Sequence, residues 1–334
     1  MKNAEIPIVF SANNYYVPYM ATMIQSVMEN ADQNRQYVFY ILHQEIHDDN
    51  MELLKKQISL FHQFSIKFIN VTQFISRYNL FTSRQITVEA YFRLLIPELL
   101  SEYQKAIYLD GDMICCTDIS SLFDINLDNY LLAAVRDIGV AWYYSKKSKE
   151  RTYLYSSVML RLKNYDDYFC SAMTVFNIEL FRRTITTEKL FELAMSREWQ
   201  IHDQDILNFL AEGKTLLLPY HWNFMYTEWA KYLPEYLRQE YNDASKHPKM
   251  IHYKPWKNEF NIPHFQQFWK YATRTPFIDE IIRRMESKKL ISPETIQEVI
   301  INNIERRNGL GLRFILNCAK AWLFRKKKKT IHEQ

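Results

Sequence analysis

"AIYLDGDMI", residues 106–114, decides how this chain is read. An apolar run ends on two aspartates, Asp110 and Asp112, with only Gly111 between them. Carboxylates this close repel each other, and stripping water from them is costly. The pair calls for a positive partner. The run before it is short and rich in strand-preferring side chains, so it reads as a buried strand with the acids at its carboxyl end.

Stretches on either side read the same way: "IPIVFSA" (6–12), "YVFYILH" (37–43), "FSIKFIN" (64–70) and "LLAAVRD" (131–137). Helical patterns lie between them at residues 17–30, 48–64 and 87–100. This alternation predicts an α/β domain with a largely parallel sheet and helices on both faces. Ligands of such sheets bind beyond the carboxyl ends of the strands, where residues 12–14 and 110–112 fall. Residues 139–167 break the pattern and read as a mobile or substrate-covering loop. "SAMTVFNIELFRR" (171–183) returns to strand and then helix, and "HDQDILNFLAEG" (202–213) opens like a helix start. Beyond residue 261, "TPFIDEIIRRM" and "SPETIQEVI" begin helices with Thr-Pro and Ser-Pro.

Hydrophobic residues make up 48% of the 334 and aromatics 15%, enough for a large core. Five glycines leave no phosphate-cradling G-x-G-x-x-G or G-x-x-x-x-G-K-[ST] loop. The four cysteines, Cys115, Cys116, Cys170 and Cys318, lack metal-site spacing and read as reduced thiols of a cytosolic protein. No signal-peptide pattern and no run of about 20 apolar residues is seen, so no leader or membrane span is expected. The net charge is +4, but Arg325 to Lys329 supply five positive charges, so the rest of the chain sums to −1. That argues against a nucleic-acid surface on the main domain.

Eight motifs occur in order: "VFSANNYYVPY", "AYFRLLIPELL", "AIYLDGDMI", "AAVRD", "VFNIELFRR", "HDQDILN", "HWNFM" and "IHYKPW". Over about residues 6–257 this resembles the retaining glycosyltransferases of family 8, including bacterial lipopolysaccharide and lipooligosaccharide galactosyl- and glucosyltransferases. The resemblance implies a GT-A fold, a Rossmann-like nucleotide-diphospho-sugar transferase with a mainly parallel central sheet. It implies catalytic domain 1–260 and a helical C-terminal region, 261–334. It also implies a UDP-galactose or UDP-glucose donor, Mn²⁺ with Mg²⁺ as the alternative, a saccharide or lipid-linked glycan acceptor, and an α-linked product.

Carried over residue by residue, Asp110, Asp112 and His252 match the metal ligands. Hard divalent cations favour carboxylate oxygen, and Mn²⁺ also accepts imidazole. Ala12, Asn13, Asn14 and Tyr16 match the nucleotide-binding strand end, where the family often has an acid in place of Asn13. Arg93, Gly111 and Lys254 fall near the donor diphosphate. Asp137, Asp203 and Gln204 match residues around the transferred sugar, with Gln204 beside the anomeric carbon. Two departures stand out. Only Tyr253 separates His252 from Lys254, where the family carries a longer, glycine-containing stretch. Residues 170–172 read Cys-Ser-Ala where the family often has Asn-Ala-Gly.

Two other readings stay open at this point. One is a non-catalytic nucleotide-sugar-binding protein of the same fold. The other is a phosphatase of the haloacid-dehalogenase type, whose D-x-D loop "YLDGDMI" faintly resembles. Finally, Leu312, Ile315, Leu316, Ala319, Trp322 and Leu323 share one helical face before Arg325–Lys329. Basic amphipathic helices of this kind lie in membrane interfaces. The tail is therefore expected to hold the protein peripherally on an anionic surface, the inner face of a bacterial cytoplasmic membrane.

Overall fold

Ile8, Val9 and Phe10 of the first strand have no solvent exposure, as expected of a strand covered on both faces. The structure is a computed structural model and describes residues 5–83, 87–140, 155–253 and 263–287. Its main elements run β1 (Glu5–Ser11), α1 (Val17–Asn30), β2 (Gln36–His43), α2 (Asp48–Ile58), β3 (Phe64–Asn70), a 3-10 helix (Val88–Leu95), β4 (Lys105–Leu109), β5 (Met113–Cys115), β6 (Leu132–Arg136) and β7 (Phe169–Asn177). They continue with α3 (Ile178–Thr184), α4 (Thr187–Met195), α5 (His202–Leu210), β8 (Thr215–Leu218), α6 (Glu235–Lys246), β9 (Met250–His252), α7 (Phe265–Ala272) and α8 (Ile278–Ser287).

Seven strands form one sheet in the order β3-β2-β1-β4-β7-β6-β8. β7 alone runs against its neighbours β4 and β6, and every other pairing is parallel. The mainly parallel α/β sheet read from the sequence is therefore present. Two helix bounds differ from expectation. The helix expected over 48–64 stops at Ile58, and the chain turns through Ser59 before β3. The stretch expected to be helical over 87–100 is a 3-10 helix that becomes a single α-turn, Ile96–Leu99, with Pro97 in its first turn.

Two local features position the site. The first is an irregularity between β6 and β7. Ala134 pairs with Thr174, but the next residue, Val135, pairs with Cys170. Residues 171–173 of β7 are thus released from β6, so their backbone groups can serve other partners. The second is a ribbon of only three residues per strand. β5 pairs antiparallel with β9, Met113 opposite His252.

The core behind these features includes Tyr91, Phe92, Leu94 and Leu95 of the 3-10 helix, packed with Tyr40 and Leu42 of β2, Tyr108 of β4, and Ile206 and Leu207 of α5. Burying each such side chain stabilises the fold by roughly 1.5–3 kcal/mol. It also fixes the 3-10 helix that carries Arg93 against the helix that carries Asp203.

The chain divides into two compact units, residues 1–254 and 255–334. In the second, α7 buries Phe268, Trp269 and Tyr271, and α8 buries Ile281 and Met285. Thr275 Oγ1 accepts the Phe277 N–H at 3.3 Å, which marks the Thr-Pro start read from the sequence. The Ser-Pro helix and the basic tail lie outside the described residues. Among the described residues, no helix is long and apolar enough to cross a membrane.

Candidate active site

Asp110 directly follows β4, and its N–H donates to the Ala172 carbonyl in the released part of β7 at 2.8 Å. Asp112 directly precedes β5, and its carbonyl accepts the Tyr253 N–H at 3.1 Å. A Cβ on Gly111 would lie 3.1 Å from Cβ and 3.3 Å from Cα of Met20 in α1. A side chain there would crowd the helix, which favours glycine between the acids. The β5–β9 ribbon then brings His252 Nε2 to 3.5 Å from Asp112 Oδ1. One ligand atom from each of Asp110, Asp112 and His252 lies within 4.8 Å of the others.

These three residues fit a hard divalent cation. Two carboxylates and one imidazole suit Mn²⁺ or Mg²⁺. His252 is buried, and its Nδ1 has no hydrogen-bond partner among the described residues. Burial works against an imidazolium here, but the neighbouring Asp112 and Cys170 outweigh it, and the pKa is pushed up to about 10. Without a cation the cluster therefore holds a proton on His252. A metal must displace that proton to bind.

Arg93 lies behind the acids. Nη2 donates to Asp110 Oδ1 at 3.0 Å, Nη1 to the Ser171 carbonyl at 2.6 Å, and Nε pairs with Asp203 Oδ2 at 3.1 Å. Its guanidinium sits 4.1 Å from the Tyr108 ring centroid, and Tyr108 Oη donates to Asp110 Oδ1 at 3.0 Å. Burial opposes the Arg93 cation, yet Asp203, Tyr108 and Asp110 hold its pKa above the usual arginine value. Asp203 feels the converse. Burial raises it, Arg93 lowers it, Asp110 raises it again, and it is pushed up to about 6. Arg93 thus holds Asp110 beside the metal-ligand cluster and compensates a second buried acid.

Asp137, Asp203 and Gln204, the residues expected around a sugar, meet at the released segment of β7. Gln204 Oε1 accepts the Ser171 N–H at 3.0 Å, while Nε2 donates to Asp137 Oδ2 at 3.1 Å and to Tyr168 Oη at 3.3 Å. Asp137 Oδ1 accepts the Val140 N–H at 3.0 Å. Ser171 Oγ donates to Asp203 Oδ2 at 2.9 Å. Both ends of the Gln204 carboxamide are therefore held in one orientation. Asp205, the next residue, has no solvent exposure. It accepts Tyr155 Oη at 2.7 Å, Tyr168 Oη at 2.6 Å and the Ile201 N–H at 2.9 Å. His202, which opens α5 with φ at 32°, packs on the Tyr91 ring at 5.7 Å.

The structure divides the residues expected at the nucleotide. The Ala12 N–H donates to the Leu42 carbonyl at 3.1 Å. Asn13 Oδ1 accepts the Tyr16 N–H at 3.1 Å, capping the turn into α1. Asn14 Oδ1 accepts from His47 N at 3.0 Å and Asn50 Nδ2 at 2.8 Å, which ties the end of β1 to the start of α2. Burial, then the charges of Asp112 and Asp110, push the Tyr16 phenol above the usual tyrosine range. Lys254 lies outside the described residues.

Tyr108, Tyr168 and Asp205 were not expected from the sequence, whereas Ser171 lies in the segment 170–172 already noted as a departure from the family pattern. Asp205 had a local signal, as the second acid of Asp203-Gln204-Asp205. The other two are brought in only by the pairing of β4 with β7 and the irregularity of β7.

Residues 7–259 match the model of glycosyl transferase family 8. The chain belongs to this family. The resemblance read from the eight ordered motifs is confirmed, and the phosphatase reading falls with it. The chain is 27% identical over 287 residues to general stress protein A of Bacillus subtilis, covering 82% of this chain and 95% of that protein. It is 28% identical over 205 residues to the lipopolysaccharide 1,2-glucosyltransferase of Escherichia coli, 59% of this chain and 57% of that one. The apo structure of the bifunctional glycosyltransferase WbbM matches with a TM-score of 0.75 and 26% identity, covering 84% of this chain and 52% of that chain. The fold is GT-A, as family 8 membership implies.

Proposed function

We propose that this chain is a retaining hexosyltransferase that moves galactose or glucose from a UDP-sugar to a saccharide acceptor of a bacterial surface glycan. The observation that carries the proposal is the convergence of Asp110, Asp112 and His252 within 4.8 Å, next to the locked Gln204–Asp137–Ser171 group. Asp110, Asp112 and His252 would hold Mn²⁺, which when bound would neutralise the donor diphosphate and stabilise the charge on departing UDP. Tyr16, whose phenol feels the charge of both acids, is the residue for the nucleoside. Asp137, Asp203 and Gln204 hold the hexose by its hydroxyls, since carboxylates and amides accept and donate in fixed directions.

An amide is a weak nucleophile, and Gln204 Oε1 already accepts from Ser171. Both facts favour attack on the same face from which UDP leaves. The bond from the anomeric carbon to the phosphate oxygen breaks, and the acceptor hydroxyl oxygen bonds on that face. Its proton passes to the departing phosphate oxygen, giving an α-linked product. The relative that acts on lipopolysaccharide suggests the glycan class. The amphipathic basic tail suggests peripheral attachment to the inner face of the cytoplasmic membrane, where a lipid-linked acceptor would be met. The experiment is a donor screen: purified protein, Mn²⁺ and a panel of UDP-sugars, scored by UDP release. Release from UDP-galactose or UDP-glucose is expected. No release from any donor would leave the non-catalytic binding reading.

A further inference from the structure

Eight large hydrophobic side chains are exposed among the described residues, and four of them fall in one stretch: Tyr226 (46%), Trp229 (40%), Tyr232 (48%) and Tyr236 (69%). The stretch is a built feature. Trp229 and Tyr232 lie three residues apart on the 3-10 helix Glu228–Tyr232, whose three-residue turn puts them on one side. Their ring centroids are 6.0 Å apart and the planes differ by 31°. Thr227 caps this helix by accepting the Trp229 N–H at 3.2 Å. The Thr227 N–H in turn donates to Tyr241 Oη at 3.0 Å, which anchors the cap to α6.

The same stretch borders the candidate site. A Cβ on Gly139 would lie 3.6 Å from Asp137 Oδ1 and 3.6 Å from Trp229 Cδ1. Thr227 and Tyr241 also line a cleft with Cys170 and Arg136. Cys170 adjoins Ser171, so this small cleft places the Thr227 cap of the aromatic helix beside the candidate site.

Resting on the transferase reading above, we infer that Trp229 and Tyr232 form a platform that stacks a pyranose ring of the acceptor next to the one that accepts the hexose. A pyranose has apolar C–H faces and a polar rim. Aromatic faces match the first, and their exposed polar neighbours, Glu228 and Lys231, match the second. An anionic lipid surface fits less well, because Glu228 and Glu235 are exposed in the same stretch. The acceptor is thus a saccharide of two or more rings rather than a monosaccharide or a simple alcohol.

The test is saturation-transfer NMR on the full chain with UDP and Mn²⁺, using methyl β-galactoside, lactose and maltotriose as probes. Saturation is expected on the ring C–H protons of lactose or maltotriose, with weaker transfer to the single-ring glycoside. Trp229→Ala should weaken binding of the longer probes about tenfold, and Trp229→Phe should restore most of it. Transfer rates normalised to UDP-hexose hydrolysis by the same variant should lose their dependence on acceptor length in Trp229→Ala and Tyr232→Ala. Trp229-dependent saccharide binding without any UDP-sugar turnover would overturn the transferase reading and leave the platform standing. Absence of saturation transfer to every probe would overturn the platform. So would equal binding by the alanine variants, or a Trp229→Ala effect confined to phosphatidylglycerol vesicles.

Discussion

Loading of the metal site should release a proton. His252 in the cation-free chain is pushed up to about 10, because Asp112 and Cys170 outweigh the cost of burying its charge. An imidazole must be neutral to bind a metal, so cation and proton compete for His252. Below the folded-state pKa, each pH unit should cost about tenfold in apparent affinity, or about a hundredfold between pH 8.5 and 6.5. Calorimetric titration of Mn²⁺ at pH 7.5, in buffers of different ionisation enthalpy, should give close to one proton released per ion. The cation-free chain should show the same linkage in its stability. His252 is raised above its unfolded value, so its contribution is fully present below about pH 6.5 and lost as pH rises through about 10. His252→Gln should bind Mn²⁺ more weakly and without proton release. Zero proton release by the wild type at pH 7.5, or an affinity flat between pH 6.5 and 8.5, would refute the reasoning that a proton stands in for the cation.

Arg93→Met leaves Asp110 and Asp203 without their buried cation and should destabilise the fold by about 3–5 kcal/mol in urea titrations, more at pH 8 than at pH 5, where Asp203 can take up a proton. Equal losses at both pH values would count against the pairing. Gly111→Ala places a methyl 3.1 Å from Met20 Cβ, so the acids or α1 must shift; a cost of about 1–3 kcal/mol and weaker Mn²⁺ binding are expected, and wild-type values in both would show that the contact does not demand glycine. Deleting residues 309–334 should leave UDP-sugar hydrolysis in place and abolish flotation with anionic vesicles at low salt; equal flotation of both forms would exclude the tail as an anchor.

The strand runs and the Asp110–Gly111–Asp112 punctuation were legible because a buried strand writes its burial into consecutive apolar residues. α1 was legible for the related reason that an almost wholly buried helix admits few polar side chains. The three-residue strands β5 and β9 were not, since a period cannot be recognised over three positions. Their pairing carries His252 to Asp112, so that meeting was available only through the family resemblance. The reversed direction of β7 and its slip between Thr174 and Cys170 left no glycine or proline to signal them. Yet they aim Ser171 at Gln204 and the Ala172 carbonyl at Asp110. Arg93 was expected near the diphosphate, but most of its donors serve Asp110, Asp203 and Ser171. Those partners lie far apart in sequence, and only the packing of the 3-10 helix against α5 brings them together.

The most direct test of the central claim is the ¹H NMR spectrum of a reaction with Mn²⁺, the UDP-hexose that turns over, and lactose or maltotriose. Asp110, Asp112 and the held Gln204 carboxamide predict a new α-anomeric signal that grows with UDP release. It should disappear in Asp112→Asn protein that retains its circular dichroism spectrum. A β-linked product, or wild-type turnover by Asp112→Asn, would contradict the account.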